Sequence, residues 1–414
     1  MLKINFKLYV GIFILLLSTL RGCFFLITGL PPTQILVFSS TILIIALILI
    51  FSNPLKFYLT DNHTLFKNVI ILNVIAGIFW TIIELGFSGF STGLVREFFL
   101  IFYAPLCILI FLEIEYNVLR NWIYFIVLII SISCLLDFWV SNVYPGFPDG
   151  RELKNYYLYK IIPPTTDIYE GRIGLIIRSH GITGSYHDSA NILTFCSVFI
   201  AGNFFYYKNN KFIEALLLII SLLALFTTLS LANIIACIIG LIIINFSVSK
   251  GLFIRTLFSL SVVISLLYFF ETYFEIAKYV LPQLDLSGDK MEGMLRFGES
   301  TFFENFISFL FGHESYTGIS DLGYHTEIAY LSILMQYGIL VAIPFFILLT
   351  LPIYLYIKSS KKLRNEIFVA VVSISIGVLT LWHYGSLIRS SSIFLFYALY
   401  SIVIKKFYFE YSKS

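Results

Sequence analysis

Apolar residues run through this chain in continuous blocks, not in the strict alternation of a half-buried strand. A helix needs about 20 predominantly apolar residues to cross a bilayer, and only helices or closed barrels satisfy their backbone there. On that ruler the blocks predict about twelve membrane-spanning helices. They lie near 8–28, 33–52, 68–88, 95–112, 121–141, 190–207, 212–229, 231–248, 252–270, 336–357, 365–382 and 387–404. The tight joint at 229–231 decides the parity of everything after it. Two intervals are too long to be turns, and loops longer than about 15 residues are usually functional or disordered. The chain therefore divides into N-terminal transmembrane helices (1–141), loop A (142–189), central transmembrane helices (190–270), loop B (271–327) and C-terminal transmembrane helices (328–414). Within loop B, Phe302, Phe303, Phe306, Phe309 and Leu310 recur at helical spacing. They predict an amphipathic helix lying on the bilayer.

Charge placement orients this pattern. With the N-terminus inside, the cytoplasmic side collects Lys3, Lys7, Lys56, Lys67, Arg120, Lys208, Lys211, Lys250, Arg255, the "KSSKKLR" run at 358–364, Lys405, Lys406 and Lys413. The outer turns hold Arg21, Arg96 and Arg389. This is a positive-inside distribution. It places both termini in the cytoplasm and both long loops outside. Loop B is acidic, with nine Asp and Glu against three Lys and Arg between Glu271 and Asp321.

Composition agrees: 59% of the 414 residues are hydrophobic and 12% charged, where soluble domains carry about 25% charged residues. Mean hydropathy is +0.91. The net charge of +3 is too small to point to nucleic acid. The N-terminal apolar run reads as a retained helix, since no small-x-small cleavage pattern follows it. Cys23, Cys107, Cys134, Cys196 and Cys237 all fall in apolar runs, as buried small hydrophobes do. No P-loop and no dinucleotide fingerprint is present. No two His sit three or four apart, so no metal site is expected.

Polar chemistry collects at three places. At the end of loop A, "RSHGITGSYHDSAN" joins an upstream Arg172 to supply Arg172, Arg178, His180, His187 and Asp188. Arginine offers a planar fork of donors suited to phosphate oxygens. Gly181 and Gly184 would let backbone N–H groups approach a ligand, and the following helix N-terminus favours an anion. The bland alternative for each Arg is an interfacial anchor with a snorkelling side chain. Loop B supplies Arg296, His313, Glu314, His325 and Glu327, and a His beside a carboxylate suits general-base work. Its bland reading is an ordinary interfacial His with a solvated Arg. The last outer turn, "WHYGSLIRSSS", holds His383 and Arg389, which otherwise read as an aromatic belt.

These segments, in order, resemble the O-antigen polymerase and O-antigen ligase superfamily of membrane glycosyltransferases. The likeness rests on "RSHGITGSYHDSAN" before a span, on "RFGES", "FGHES" and "GYHTEIAYLSILMQYGIL" in the late outer loop, and on "WHYGS" near the end. Polymerases are the closer match. Relatives often carry Ser-Arg or Thr-Arg at the outer mid-chain joint, whereas this chain reads "TTLSLAN", with Leu231 after Ser230.

The resemblance implies an enzyme of the bacterial inner membrane that joins oligosaccharide repeat units carried on undecaprenyl diphosphate. Arg178 and Arg296, with Arg172, would bind the diphosphate. His325 would take the acceptor proton, oriented by Glu327. His180, His187, His313, His383 and Arg389 stand behind them. Expected partners are lipid-linked donor and acceptor glycans, membrane lipids and a chain-length regulator, with no cofactor, metal or nucleic acid. Two alternatives stay open: a ligase moving finished glycan to lipid A core, and a transporter that forms no bond. Transporters place charge at mid-bilayer, whereas Glu84 and Asp137 fall near span ends.

Overall fold

The computed structural model describes residues 9–16, 64–88, 101–102, 104–142, 172–173, 176–183, 185–206, 211–247, 261, 268, 306–312, 329–382 and 392–410. These are almost entirely helical. The longer elements are α1 (Thr64–Ser88), α2 (Cys107–Phe111), α3 (Tyr116–Asn142), α4 (Tyr186–Tyr206), α5 (Lys211–Thr227), α6 (Leu231–Ser247), α7 (Phe306–Phe311), α8 (Ala329–Lys358), α9 (Lys361–Leu379) and α10 (Ser392–Lys405). One antiparallel ladder of two-residue strands, β1 (Arg172–Ile173) and β2 (Ile176–Ile177), pairs Arg172 with Ile177.

Four of these helices are long and apolar enough to cross a membrane, over Leu65–Gly86, Tyr116–Trp139, Tyr186–Tyr206 and Ser332–Lys358. Their faces agree with that reading. On α1, Ile71, Ile75, Ile78, Ile82 and Leu85 form an outward stripe, while Phe66, Val69, Ile70, Asn73 and Trp80 turn inward. A soluble helix reverses this, showing polar residues outside. The same apolar outer face recurs on α6 (Ile235, Ile239, Ile242, Phe246) and α8 (Leu340, Ile343, Ile347, Ile357). Contiguous apolar surface of this kind is what a lipid-facing helix presents.

Helix α4 is the hub. It packs against α3, α5, α6, α9 and α10, and it is buried from Asp188 to Asn203. Lipid gives no hydrophobic force between helices, so packing and interhelical hydrogen bonds hold such a hub. Ser197 Oγ meets Ser221 Oγ at 2.9 Å, and Tyr116 Oη donates to Asn203 Oδ1 at 2.9 Å. Thr194 Oγ1 lies 3.3 Å from Asn233 Oδ1. Each such bond contributes about 0.6 kcal/mol on average. Cys107, Cys134, Cys196 and Cys237 are buried thiols, as expected, and Cys23 lies outside the described residues.

The joint near 229–231 is a genuine turn. Helix α5 ends at Thr227, Leu229 adopts a left-handed backbone (φ 50°), and α6 starts at Leu231. Elsewhere the apolar blocks mislead. The expected helix at 95–112 includes, among described residues, a 3-10 turn at Ala104–Leu106 followed by the short α2. Helix α8 is broken at Gly338 (φ 69°, ψ 169°). There Gly312 and Gly338 meet backbone to backbone, and a Cβ on Gly338 would lie 2.3 Å from Leu310 O. The break disturbs the helical ladder, and Trp80 Nε1 donates to Gln336 O at 3.1 Å beside it. Phe102 and Tyr337 close an aromatic cluster around that indole. Of the expected interfacial helix only α7 is described. Phe306 and Ile307 are exposed, while Gly312 just beyond is buried against α8.

Successive helices alternate in direction, which separates the charges. Tyr206 at the end of α4 meets Ser247 at the end of α6, and Tyr116 at the start of α3 meets Asn203. Lys405 Nζ donates to Ile114 O at 2.9 Å, and Lys406 pairs with Glu366 at 3.6 Å. Arg364 Nε donates to Tyr356 O at 3.1 Å and its Nη2 to Ile357 O, so the last carbonyls of α8 meet a cation. Lys67, Arg120, Lys211, Lys358, Lys361, Lys362, Arg364, Lys405 and Lys406 thus gather at one end of the bundle. Among described residues only Arg172 and Arg178 are cations of the opposite end.

Candidate functional site

That opposite end is built around residues 178–189. They sit where the end of α3, the start of α4 and the α5–α6 turn converge. Ser179 N–H donates to Thr227 O at 3.0 Å, which ties the segment to that turn. Ser179 Oγ donates to Cys134 O at 2.6 Å, which ties it to α3.

Asp137 and Ser133, one turn apart on α3, fix the next three residues. Asp137 Oδ2 accepts the N–H of His180 at 2.7 Å and that of Gly181 at 3.2 Å. Ser133 Oγ accepts the N–H of Ile182 at 3.0 Å and donates to Ile130 O at 2.8 Å. Three consecutive backbone donors are thereby satisfied by side chains of one helix. A buried N–H left without an acceptor costs about 1–3 kcal/mol, so this arrangement holds the loop down on α3.

The hydroxyls close the turn from the other side. Thr183 Oγ1 and Ser189 Oγ both reach His180 O, at 3.1 Å and 2.7 Å, and lie 2.8 Å from each other. Ser189 N–H donates to Ser185 O at 3.1 Å as α4 begins. Helix α4 starts at Tyr186, four residues before the span read from hydropathy, so His187 and Asp188 belong to its first turn. Hydropathy undercounts here because the first turn is polar but already helical.

Gly181 corrects one expectation. Its N–H does not face a ligand, because Asp137 takes it. The residue is small for a different reason. Its backbone is left-handed (φ 58°), and a Cβ would lie 2.6 Å from Cys134 Sγ and 2.9 Å from Ser133 Oγ. Gly184 lies outside the described residues.

Three side chains then define the half-buried surface. The Arg178 guanidinium sits 4.6 Å from the centre of the Tyr186 ring. Such a contact contributes about 0.5–2 kcal/mol, depending on desolvation. His180 meets the same ring edge-on at 5.6 Å, and His187 lies 3.9 Å from it, ring centre to ring centre. Tyr186 is thus a shared platform for one guanidinium and two imidazoles. His180 Nδ1 is 3.1 Å from Arg178 O. A carbonyl only accepts, so Nδ1 carries the proton in that bond, and a neutral ring then holds its basic lone pair on Nε2. Asp188, buried in the first turn of α4, answers part of the positive field at that helix end.

The structure brings together Arg178, His180 and His187. The β1–β2 ladder sets the Arg172 backbone opposite Ile177, one residue from Arg178. Arg296, His313, His325, Glu327, His383 and Arg389 lie outside the described residues. Tyr330, near the start of α8, donates from Oη to Val378 O at 2.6 Å. Residue-by-residue reading missed Ser133 and Asp137 as supports, although an Asp near the end of an apolar block was the signal available. Among the described residues no group of three or more His, Cys, Asp or Glu is placed to hold a metal. No protein-family model, curated protein or solved structure matches the chain.

Proposed function

We propose that the chain is a polymerase of lipid-linked glycans. It would join oligosaccharide repeat units carried on undecaprenyl diphosphate at the outer face of a bacterial inner membrane. The observation that supports this reading most is the Arg178–His180–His187 cluster on Tyr186, held at the cation-poor end of an apolar bundle. The positive-inside rule makes that end the outer one. A guanidinium fork there suits a diphosphate. In the reaction, a hydroxyl of the acceptor repeat attacks the anomeric carbon of the donor glycan. The bond from that carbon to the diphosphate oxygen breaks, and the lipid diphosphate leaves with the electron pair. Arg178, with Arg296 and Arg172, would stabilise the charge growing on its oxygens. His325, oriented by Glu327, would accept the hydroxyl proton. His180, His313, His187, His383 and Arg389 would line the remaining surface.

The α5–α6 turn adds support, since it borders the cluster through Thr227. The arginine that relatives place at this joint is Leu231 here, and Arg178 lies beside the same turn. A second reading, a transporter of lipid-linked glycan, draws on the broken helix at Gly338. Discontinuous helices serve binding at mid-membrane in transporters, whereas this break lies near one end of the Ser332–Lys358 span.

Deleting the gene and analysing lipopolysaccharide by gel separates these readings. A polymerase predicts lipid A core carrying single repeat units. Loss of all O-antigen with polymer held on the lipid carrier points to the ligase. Loss of all O-antigen with repeat units trapped on the cytoplasmic face points to the transporter.

A further inference from the structure

At the cation-rich end, far from this cluster, α3 and α5 leave an open groove of about 380 Å³. Phe125, Leu128, Ile213, Leu216, Leu217 and Ile220 line its length, and Arg120, Asn121, Tyr124 and Glu214 line its polar end. Phe125, Ile213 and Leu216 are exposed on the apolar outer surface, so the groove opens toward lipid.

The polar end is unusual in carrying both charges. Tyr124 Oη donates to Glu214 Oε1 at 3.1 Å. The Arg120 guanidinium lies 5.8 Å from the centre of the same tyrosine ring. Glu214 is 1% exposed, yet its Oε2 has no hydrogen-bond partner, and neither has Arg120 Nε. A buried carboxylate oxygen without a donor is costly. Lining an open groove, it can accept an N–H or O–H from a bound molecule.

We propose that this groove binds an aminophospholipid of the phosphatidylethanolamine type. One acyl chain lies along Phe125, Leu128, Leu216 and Ile220. The phosphate faces Arg120, and the primary ammonium donates to Glu214 Oε2. A lipid whose headgroup adds only neutral hydroxyls to the phosphate, as phosphatidylglycerol does, would answer Arg120 and give Glu214 Oε2 at most a neutral hydrogen bond, about half as strong as a charge-assisted one. A choline headgroup has the positive charge but no N–H to give. The pair of opposite charges on one wall therefore selects a zwitterion with hydrogen-bond donors.

Native mass spectrometry of the full-length protein in detergent, with added phosphatidylethanolamine, phosphatidylcholine or phosphatidylglycerol of identical acyl chains, tests this. Phosphatidylethanolamine is expected to be retained over both others by about tenfold, the effect of one charge-assisted hydrogen bond. Glu214→Gln should erase that preference, and Arg120→Ala should weaken retention of all three lipids. Ile213→Trp, which fills the groove from its exposed lip, should lower phosphatidylethanolamine retention without touching the headgroup contacts. Equal retention of the ethanolamine and choline lipids overturns the proposal. So does a preference for phosphatidylglycerol, or an unaltered preference in Glu214→Gln.

Discussion

Asp137 shows how a single carboxylate can set a site it does not belong to chemically. Two backbone N–H groups converge on one of its oxygens, from residues 43 and 44 positions away. Asp137→Ala leaves both without that acceptor and is expected to lower stability by about 1–3 kcal/mol, read as a drop in thermal midpoint in detergent. An unchanged midpoint would mean that the loop is not held by this residue. Gly181→Ala combines a left-handed backbone, which costs a non-glycine residue about 1–2 kcal/mol, with the contact on Cys134 Sγ. It should destabilise by at least that amount in the same assay. Arg178→Lys keeps the charge but loses the fork, and glycan extension should fall by about tenfold or more. Full extension by Arg178→Lys would show that the planar fork is not needed. These roles were unevenly legible. Arg178, His180 and His187 stood out as polar residues in apolar surroundings. Asp137 did not, because its partners are distant in sequence, and for the same reason the sequence does not show that Asp137 takes the Gly181 N–H.

At the scale of elements, hydropathy located helices better than it located their ends. The polar first turn of α4 hid His187 and Asp188 inside what read as loop, and the tight joint after Thr227 was found where turn residues broke the apolar run. The break in α8 was not legible. A glycine inside an apolar run carries no mark of whether its backbone is helical, and only the approach of Gly312 distinguishes Gly338. Gly338→Ala would push a Cβ into Leu310 O. It should destabilise the protein by more than the roughly 1 kcal/mol by which alanine is favoured over glycine in an ordinary helix. Thermal unfolding checks the sign: a stabilised Gly338→Ala variant would show that the segment is a plain helix. The break also separates the aromatic cluster of Trp80, Phe102 and Tyr337 from the remainder of α8, which carries Pro344 and Pro352 and runs to Lys358. At 1.5 Å per residue that remainder is about 30 Å long, enough for the hydrocarbon core.

The whole molecule is organised by which end each charge occupies. The described cations other than Arg172 and Arg178 share one end, and the Tyr186 cluster lies at the other. Orientation comes from that asymmetry: the connection at Ser360 between α8 and α9 is expected in the cytoplasm. A Ser360→Cys variant in spheroplasts should react with a membrane-impermeant thiol reagent only after permeabilisation, above the background of the parent protein. Labelling of intact spheroplasts would invert the bundle and remove the outer-face site. Reconstitution decides whether this site extends lipid-linked glycans. Purified protein in vesicles is supplied with an undecaprenyl-diphosphate-linked repeat unit, and product length is read by mass spectrometry. A polymerase yields a ladder of longer lipid-linked glycans with release of undecaprenyl diphosphate, lost in Arg178→Ala at equal protein level. Unlengthened substrate would rule out the polymerase, and a ladder undiminished in Arg178→Ala would remove Arg178 from the site.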